Sequence, residues 1–156
     1  MISLSKNENS KIAFLMVGVD RFKAVIEEFD HDIGDKVLIE LAKVIHSEIK
    51  GFDIVSRLTG DEFLVALVNN PDIEKAVQVA QNIINQFAEV EIVVNPSTNQ
   101  VLKKTVCIGI SLYPDDGDDI NQILKNSDYF LSEAKNKGRS QYAIYKKEDE
   151  SYIDLF

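Results

Sequence analysis

The chain lacks the residues on which several classes of protein depend. Its single cysteine, Cys107, cannot form an internal disulfide, and this composition fits a reducing compartment. One cysteine and two histidines make a zinc site improbable. Apolar runs stay well below the ~20 residues that a membrane-spanning helix requires, and residues 1–4 do not begin a signal peptide. These absences favour a cytoplasmic domain, alone or as the cytoplasmic part of a larger protein.

Basic side chains are also in the minority. There are 17 lysines and arginines against 26 aspartates and glutamates, which gives a net charge of −9. This charge argues against a general nucleic-acid-binding surface or contact with an anionic membrane. A phosphate-bearing ligand would need a local basic cluster or a metal ion to overcome the overall field.

The pattern of apolar residues predicts one α/β domain in which helices pack on a mixed sheet. The 156 residues, 45% of them hydrophobic, suffice for a single core. The predicted domain spans residues 11–145, between an N-terminal extension at 1–10 and a C-terminal tail or linker at 146–156. Strands are predicted at 11–19, 54–58, 63–68, 91–94, 101–112 and 141–145. Four helices are predicted: one that starts at Arg21 or Phe22, one at 34–49, one that starts at Asn70-Pro71, and one that Asp118 or Asp119 caps. Gly51 and Gly138 are predicted to end the second and fourth of these helices.

Two acids follow a glycine in the predicted hairpin turn. The segment RLTGDEF at residues 57–63 joins two apolar runs rich in β-branched residues. Carboxylates between buried strands require solvent, a metal ion or a partner charge. An ordinary polar hairpin tip explains the same residues, because Gly-Asp is favourable turn chemistry.

Further segments occur in an order and spacing that resemble a known family. They are VDRFK at 19–23, HDIGD at 31–35, TGDEF at 59–63, CIGI at 107–110, YPDDG at 113–117 and AKNKGR at 134–139. Together they resemble GGDEF domains, the bacterial diguanylate cyclases that join two GTP molecules into cyclic di-GMP. The resemblance covers about residues 11–145 and implies a nucleotidyl-cyclase palm-like fold, in which helices flank a central five-stranded mixed sheet.

The resemblance also implies the roles of individual residues. Asp61 and Glu62 would be catalytic, and Asp61 with the backbone carbonyl of Val19 would bind Mg²⁺ or Mn²⁺. Metal ions held by carboxylates activate the attacking hydroxyl and neutralise phosphate charge. The implied substrate-binding residues are Phe22, Lys23, Asp35 for the guanine base, and Lys135 and Arg139 for the terminal phosphates. Stabilisation of a helix C-terminus by cations is the alternative explanation for the last two.

Three residues depart from the family pattern in this one pocket. Gly18 stands where the family supplies another metal-binding carboxylate, and Asp20, two residues on, is a candidate substitute. Ile26 stands where an asparagine reads guanine, and the lost hydrogen bond would cost ~1–3 kcal/mol. Thr59 replaces the first glycine of the hairpin, and a β-branched residue resists positive φ and close approach of a ligand.

A second site of the family is also altered. Many members carry an arginine and an aspartate three residues apart that bind the product and inhibit the enzyme. Here those positions hold Lys50 and Asp53. Lysine cannot make the forked, stacked contact of a guanidinium group, so this inhibitory site is predicted to be weak or absent.

Two functions remain open on the sequence. The favoured one is a degenerate GGDEF domain with a regulatory role in cyclic di-GMP signalling, weak or no cyclase activity, and at most residual GTP binding. The alternative is an active diguanylate cyclase that works as a head-to-tail homodimer with one GTP per protomer. The resemblance also allows a fused phosphodiesterase or sensor domain as partner, while nucleic acid and membrane contacts are not expected.

Overall fold

A computed structural model describes residues 11–69 and 71–144. Helices and strands alternate as expected for an α/β domain. None of the helices in the described ranges is both long and apolar enough to cross a bilayer. In chain order the elements are β1 (Ile12–Val19), α1 (Phe22–Glu28), α2 (His31–Glu48), β2 (Ile54–Thr59), β3 (Glu62–Leu67), α3 (Ile73–Ala88), β4 (Ile92–Asn95), β5 (Gln100–Leu102), β6 (Val106–Tyr113), α4 (Ile120–Asn136) and β7 (Tyr142–Ile144).

The central sheet has five strands in the order β2-β3-β1-β6-β7. Neighbouring strands are antiparallel except β6 and β7, which are parallel. The predicted five-stranded mixed sheet with flanking helices is therefore confirmed. The β2–β3 turn, the end of β1 and the start of β6 meet at one end of the sheet, named the hairpin end below. The start of β1 lies at the opposite end, since Ile12 pairs with Tyr113, and β7 ends midway along β6, where Ile144 pairs with Ile110.

Helices cover both faces of the sheet, which explains why β1 is buried along its whole length. Leu15 and Val17 belong to the larger core, formed with α2 and α3. The alternate residue Met16 packs instead with Leu131 and Ala134 of α4. Gly18 points to the same face as Met16, because side chains alternate along a strand. Gly18 therefore lies under α4.

Gly109 lets α4 approach the sheet closely. A Cβ at this position would overlap backbone atoms of α4, the Ser127 carbonyl oxygen and the Leu131 nitrogen, and would lie 3.0 Å from the Phe130 carbonyl carbon. Gly109 lies opposite Met16 on β1, so this contact is on the α4 face. Close packing at Gly109 sets the distance between α4 and the sheet. It therefore also sets the positions of the α4 side chains that lie at the hairpin end.

Two predicted helix starts are wrong by a few residues. α2 begins at His31 rather than at residue 34, because Asp30 caps it and accepts a hydrogen bond from the Ile33 N–H at 2.8 Å. α3 begins at Ile73, with Asp72 as its cap, so Pro71 precedes the helix instead of occupying its first position. Asn70 lies outside the described residues.

The predicted single strand at 101–112 is also wrong. Its first part, β5, pairs with β4 in a separate two-stranded sheet, and only β6 joins the central sheet. Residues 103–105 form the link between them. The predicted extension at 1–10 and tail at 146–156 lie outside the described residues.

The predicted caps of α4 are confirmed, whereas the predicted C-terminal end of α2 is wrong. Asp119 caps α4, as expected, and accepts from the Gln122 N–H. Gly138, which follows α4, has a φ of +125° that favours glycine. α2, in contrast, already ends at Glu48, so Gly51 lies in the following turn and does not end the helix.

Candidate functional site

The two hairpin acids lie beside the end of β1. The Val19 N–H donates to the backbone carbonyl of Asp61 at 3.4 Å. Gly18 is opposite Glu62 in the β1–β3 register, so the Glu62 side chain projects on the α4 face of the sheet. Asp61 and Glu62 are both half-buried. The structure thus brings together Val19, Asp61 and Glu62, which the sequence predicted to form one site.

Arg57 holds the hairpin turn. Its Nε and Nη2 atoms donate to the Gly60 carbonyl oxygen at 3.2 and 2.7 Å. The register of β2 against β3 shifts between Arg57 and Thr59, so the strand is irregular just before the turn. The turn is therefore fixed by a side-chain contact as well as by strand pairing.

Lys135 reaches the surface of the sheet above Gly18. A Cβ built at Gly18 would lie 3.5 Å from Lys135 Nζ and 3.2 Å from Leu131 Cδ2. The Lys135 ammonium group therefore lies where a longer side chain at position 18 would project. A positively charged ammonium group therefore lies close to where the family pattern implies a negatively charged carboxylate.

Asp20 joins three elements at the hairpin end. This buried carboxylate accepts from the Thr105 hydroxyl at 2.6 Å and from the Ser140 N–H at 2.9 Å, both through Oδ2. Arg139 Nη1 lies 3.9 Å from Oδ1. These contacts tie the end of β1 to the link before β6 and to the residues after α4. They occupy Oδ2 of the carboxylate that was a candidate substitute metal ligand, while Oδ1 is buried without a hydrogen-bond partner in the described part of the chain.

Two further cations surround Asp20. Lys104 precedes Thr105, and Arg21 follows Asp20 directly. Burial and the charges of Arg21 and Arg139 lower the pKa of Lys104, against the opposite effect of Asp20 and Glu28.

The predicted base-binding residues lie where α1 crosses α2. A Cβ on Gly34 would overlap Ile26 Cδ1 and would lie 3.1 Å from Phe22 Cζ. The side chains of Ile26 and Phe22 therefore cover the backbone at Gly34. The neighbouring Asp35 is exposed, so its carboxylate lies beside the apolar side chains of Ile26 and Phe22.

Lys23 lies on the outer surface of α1. Its side chain is 90% exposed, and Nζ is 4.0 Å from Glu27 Oε1, one turn along the helix. Such exposed pairs contribute little to stability. Lys23 therefore points to solvent in this structure.

The predicted inhibitory residues lie at the opposite end of the sheet. The strand β2 separates them from the hairpin turn by about 20 Å, at about 3.3 Å per residue. Asp53 Oδ1 accepts from the Val68 N–H at 3.0 Å, and Oδ2 accepts from the Lys50 N–H at 3.1 Å. These residues line a cavity of about 410 Å³ with Phe52, whose side chain is exposed. Both carboxylate oxygens already hold the local turn.

The sequence model described as "Diguanylate cyclase, GGDEF domain" matches residues 2–141 of the chain. The chain belongs to the GGDEF family. Among curated relatives, a diguanylate cyclase from Vibrio cholerae is 32% identical over 94% of this chain and 44% of its own length. The bifunctional diguanylate cyclase/cyclic di-GMP phosphodiesterase MucR from Pseudomonas aeruginosa is 30% identical over 89% of this chain and 20% of its own length.

Solved GGDEF structures have the same fold. The active GGEEF domain of a diguanylate cyclase from Vibrio cholerae superposes with a TM-score of 0.82 at 31% identity, covering 93% of this chain and 89% of that one. The GGDEF domain of TpbB from Pseudomonas aeruginosa gives 0.88 at 28% identity, with coverage of 98% and 87%. The chain thus matches nearly whole GGDEF domains but spans less than half the length of the curated relatives named above.

Diguanylate cyclases of the GGDEF family are generally metal-dependent, but the donor set of this chain does not fit a metal ion. Val19 offers a backbone carbonyl, and Asp61 and Glu62 offer carboxylates, while Gly18 offers no side chain and Lys135 lies above it. Within residues 11–69 and 71–144, no group of three or more acidic, histidine or cysteine side chains could hold a metal. Mg²⁺ requires several oxygen ligands in octahedral geometry.

Lys104 and Arg21 are not among the site residues predicted from the sequence. The prediction of a strand over 101–112 gave Lys104 no partner on β1, and the observed pairing of Val19 with Val106 is what places Lys104 near Asp20. The signal that could have revealed it is the polar triplet KKT at 103–105, which interrupts the apolar pattern. Arg21, at the start of α1, has a φ of +56°. This left-handed backbone conformation could not be predicted from the sequence.

Cys107 is expected to be chemically inert in the folded GGDEF domain. It is fully buried, and burial raises its thiol pKa to about 11, with Asp20 adding to the effect. Because the thiolate is the reactive form, iodoacetamide at pH 8 should label native protein at least ~100-fold more slowly than urea-unfolded protein, whose thiol pKa is ~8.5. Mass spectrometry of timed samples measures both rates. Equal rates would show that β6 opens to solvent.

Proposed function

We propose that this GGDEF domain is a regulatory module of cyclic di-GMP signalling with weak or no cyclase activity. It acts in the cytoplasm, where its effect would be exerted on a phosphodiesterase or sensor domain joined to it. Relatives such as MucR combine a diguanylate cyclase with a cyclic di-GMP phosphodiesterase in one longer chain. Another relative from Pseudomonas aeruginosa is a cyclic di-GMP phosphodiesterase, NbdA, of which this chain spans 17%.

The observation that carries the proposal is the position of Ile26. Its Cδ1 atom covers Gly34, beside the exposed Asp35. An isoleucine offers no hydrogen bond to a base edge, and an unmet polar partner costs ~1–3 kcal/mol. This corresponds to a ~10- to 100-fold loss of affinity for guanine.

The metal side of the pocket supports the same proposal. A diguanylate cyclase must activate a hydroxyl and neutralise phosphate charge, and carboxylate-held metals usually supply both. Gly18 and the ammonium of Lys135 leave Asp61 as the remaining acid that the family pattern would assign to the metal. The losses at the base and at the metal affect the same reaction and should compound.

An active cyclase is the second candidate. It is favoured by the retained acids of the hairpin and by the backbone contact between Val19 and Asp61. In that case Asp61 and Glu62 would carry catalysis, with GTP bound in a homodimer and Mg²⁺ or Mn²⁺ as cofactor. The two candidates differ in whether product forms.

The purified protein is expected to form no more cyclic di-GMP from GTP than its Asp61→Ala variant, with either Mg²⁺ or Mn²⁺. The reason is the combined loss of base recognition and metal ligands. Chromatography with mass detection measures the product, and the GGEEF domain from Vibrio cholerae is the positive control. Product that the Asp61→Ala change abolishes would show that the domain is a cyclase.

A further inference from the structure

The strand β2 forms an open edge of the central sheet. It is the terminal strand in the order β2-β3-β1-β6-β7, so among the described residues only β3 pairs with it. Its sequence, IVSRLT at 54–59, includes no lysine or proline, the residues that commonly protect an edge strand from further pairing. The shift in its register lies near one end, between Arg57 and Thr59, and leaves 54–57 regular. This part of β2 can therefore accept another strand.

The backbone groups that β2 offers at its open edge follow from the pairing of its neighbours. The Val19 N–H donates to the Asp61 carbonyl, so odd-numbered residues at 61–67 bond to β1 and even-numbered ones to β2. Ser56 is opposite an even-numbered residue of β3, and its backbone groups therefore face that strand. The N–H and C=O groups of Val55 and Arg57 face outward. The open edge thus presents two donors and two acceptors.

The same edge carries exposed apolar side chains. Phe52, Ile54 and Leu58 are 87%, 44% and 42% exposed, and they are three of the eight large hydrophobic side chains exposed in the described ranges. Ile54 is opposite Ala66, which belongs to the core on the α4 face. The helix α4 packs mainly on β1, β6 and β7, and it leaves β2 uncovered. Apolar side chains along an open strand edge point to a protein partner.

The strand β2 is self-complementary in one antiparallel register. Outward-facing residues must pair with outward-facing residues, so a two-fold axis can pass only through position 55, 56 or 57. An axis at Arg57 places like charges opposite each other, and an axis at Val55 places Ile54 opposite a serine. With the axis at Ser56, Val55 and Arg57 of each copy exchange hydrogen bonds with Arg57 and Val55 of the other. This register also brings Ile54 beside Leu58 of the second copy, twice in the dimer.

We propose that β2 is a dimerisation edge, to which a second copy of this chain adds in the antiparallel register centred on Ser56. The two central sheets then form one sheet of ten strands, five from each copy. The two Gly60 residues are eight strand positions apart, about 26 Å along the sheet, so the hairpin ends of the two copies face away from each other. This dimer therefore differs from the head-to-tail arrangement of a cyclase, and the inference does not depend on the proposed function.

Sedimentation equilibrium of the 156-residue chain at ~10–500 µM measures the association. We expect the average mass to rise with concentration from that of one chain toward that of two, because an interface this small is weak. Ile54→Lys should weaken the dimer at least ~10-fold, since an edge lysine opposes further strand pairing. Ile39→Lys is the matched control. Ile39 is a 55% exposed isoleucine of α2, and its replacement should change the dissociation constant less than about twofold.

A disulfide between two copies tests the register. The two Ser56 residues form a pair without mutual hydrogen bonds, whose Cα atoms are about 4.5 Å apart, within the range of a disulfide. With oxidised glutathione, Ser56→Cys should form cross-linked dimer at least ~10-fold faster than Ser132→Cys, because strand pairing raises the effective concentration of the two thiols. Ser132 is an exposed residue of α4, and Cys107 is buried in both variants. Non-reducing electrophoresis of timed samples measures the rates.

Three results would overturn the inference. They are a chain that stays monomeric up to ~500 µM, equal dissociation constants for Ile54→Lys and Ile39→Lys, and equal cross-linking rates for the two cysteine variants. Melting temperatures check that each variant is folded, and if Ile54→Lys is not, the two cysteine variants decide alone. The cyclase assay is independent, because product formation would remove the proposed function and leave the β2 dimer in place.

Discussion

Replacing Gly109 with alanine is expected to lower the melting temperature of the domain by about 6–12 °C. The added Cβ would overlap the backbone of α4 at Ser127 and Leu131, and backbone atoms of a helix cannot rotate away as a side chain does. Overpacking of this kind costs about 3 kcal/mol, and 1 kcal/mol shifts the melting temperature by about 2–4 °C in a domain of this size. Circular dichroism or calorimetry measures the transition.

Gly60→Ala is the matched control for this prediction. A Cβ at Gly60 meets nothing within 4 Å, so its melting temperature should change by less than about 2 °C, as for ordinary surface substitutions. Equal melting temperatures for the two variants would show that α4 does not rest on Gly109. The height of α4, and with it the position of Lys135, would then need another explanation.

Restoring the three altered pocket residues together is expected to raise cyclic di-GMP formation at least ~10-fold in the presence of Mg²⁺. The combined variant is Gly18→Asp, Ile26→Asn and Thr59→Gly. An asparagine at 26 uncovers Gly34 and returns a hydrogen bond worth ~1–3 kcal/mol. An aspartate at 18 needs only a small shift of Leu131 Cδ2, a flexible side-chain atom 3.2 Å from the new Cβ. Product formed from GTP is the measurement.

The same triple variant with Asp61→Ala is the control for restoration. It should form no product, because the hairpin acid is then missing while all three restored residues remain. A triple variant that melts like the original protein and still makes no product would contradict the proposed cause of inactivity. The defect would then lie elsewhere in the pocket or in dimer formation.

The fold could be predicted well from the sequence because its signals are local. The apolar run at 11–19 can be buried on two faces only in a central strand, and β1 is that strand. The hairpin follows from turn residues between two β-branched runs. The single strand predicted at 101–112 was wrong because the polar triplet at 103–105 divides it, so that β5 pairs with β4 and only β6 joins the central sheet.

The candidate site was predicted only in part. Asp61 and Glu62 follow from the hairpin, and the absence of a carboxylate at Gly18 is visible in the sequence. The position of Lys135 above Gly18 is not visible in the sequence, because it depends on the packing of α4 against Gly109. That contact joins residues far apart in the chain. The same holds for Lys104, which lies near Asp20 because Val19 pairs with Val106 and Thr105 donates to the Asp20 carboxylate.

β1 enters the sheet at the end remote from Asp61, about 25 Å or eight strand residues from the hairpin turn, whereas β7 runs away from the hairpin end and its last residue pairs with Ile110, halfway along β6. A neighbouring domain joined before β1 would therefore be attached far from the hairpin acids. Such an attachment leaves the hairpin end open to solvent and to a second molecule. Communication between an attached domain and this side must then run through the stiff strands or through a rearrangement of whole subunits.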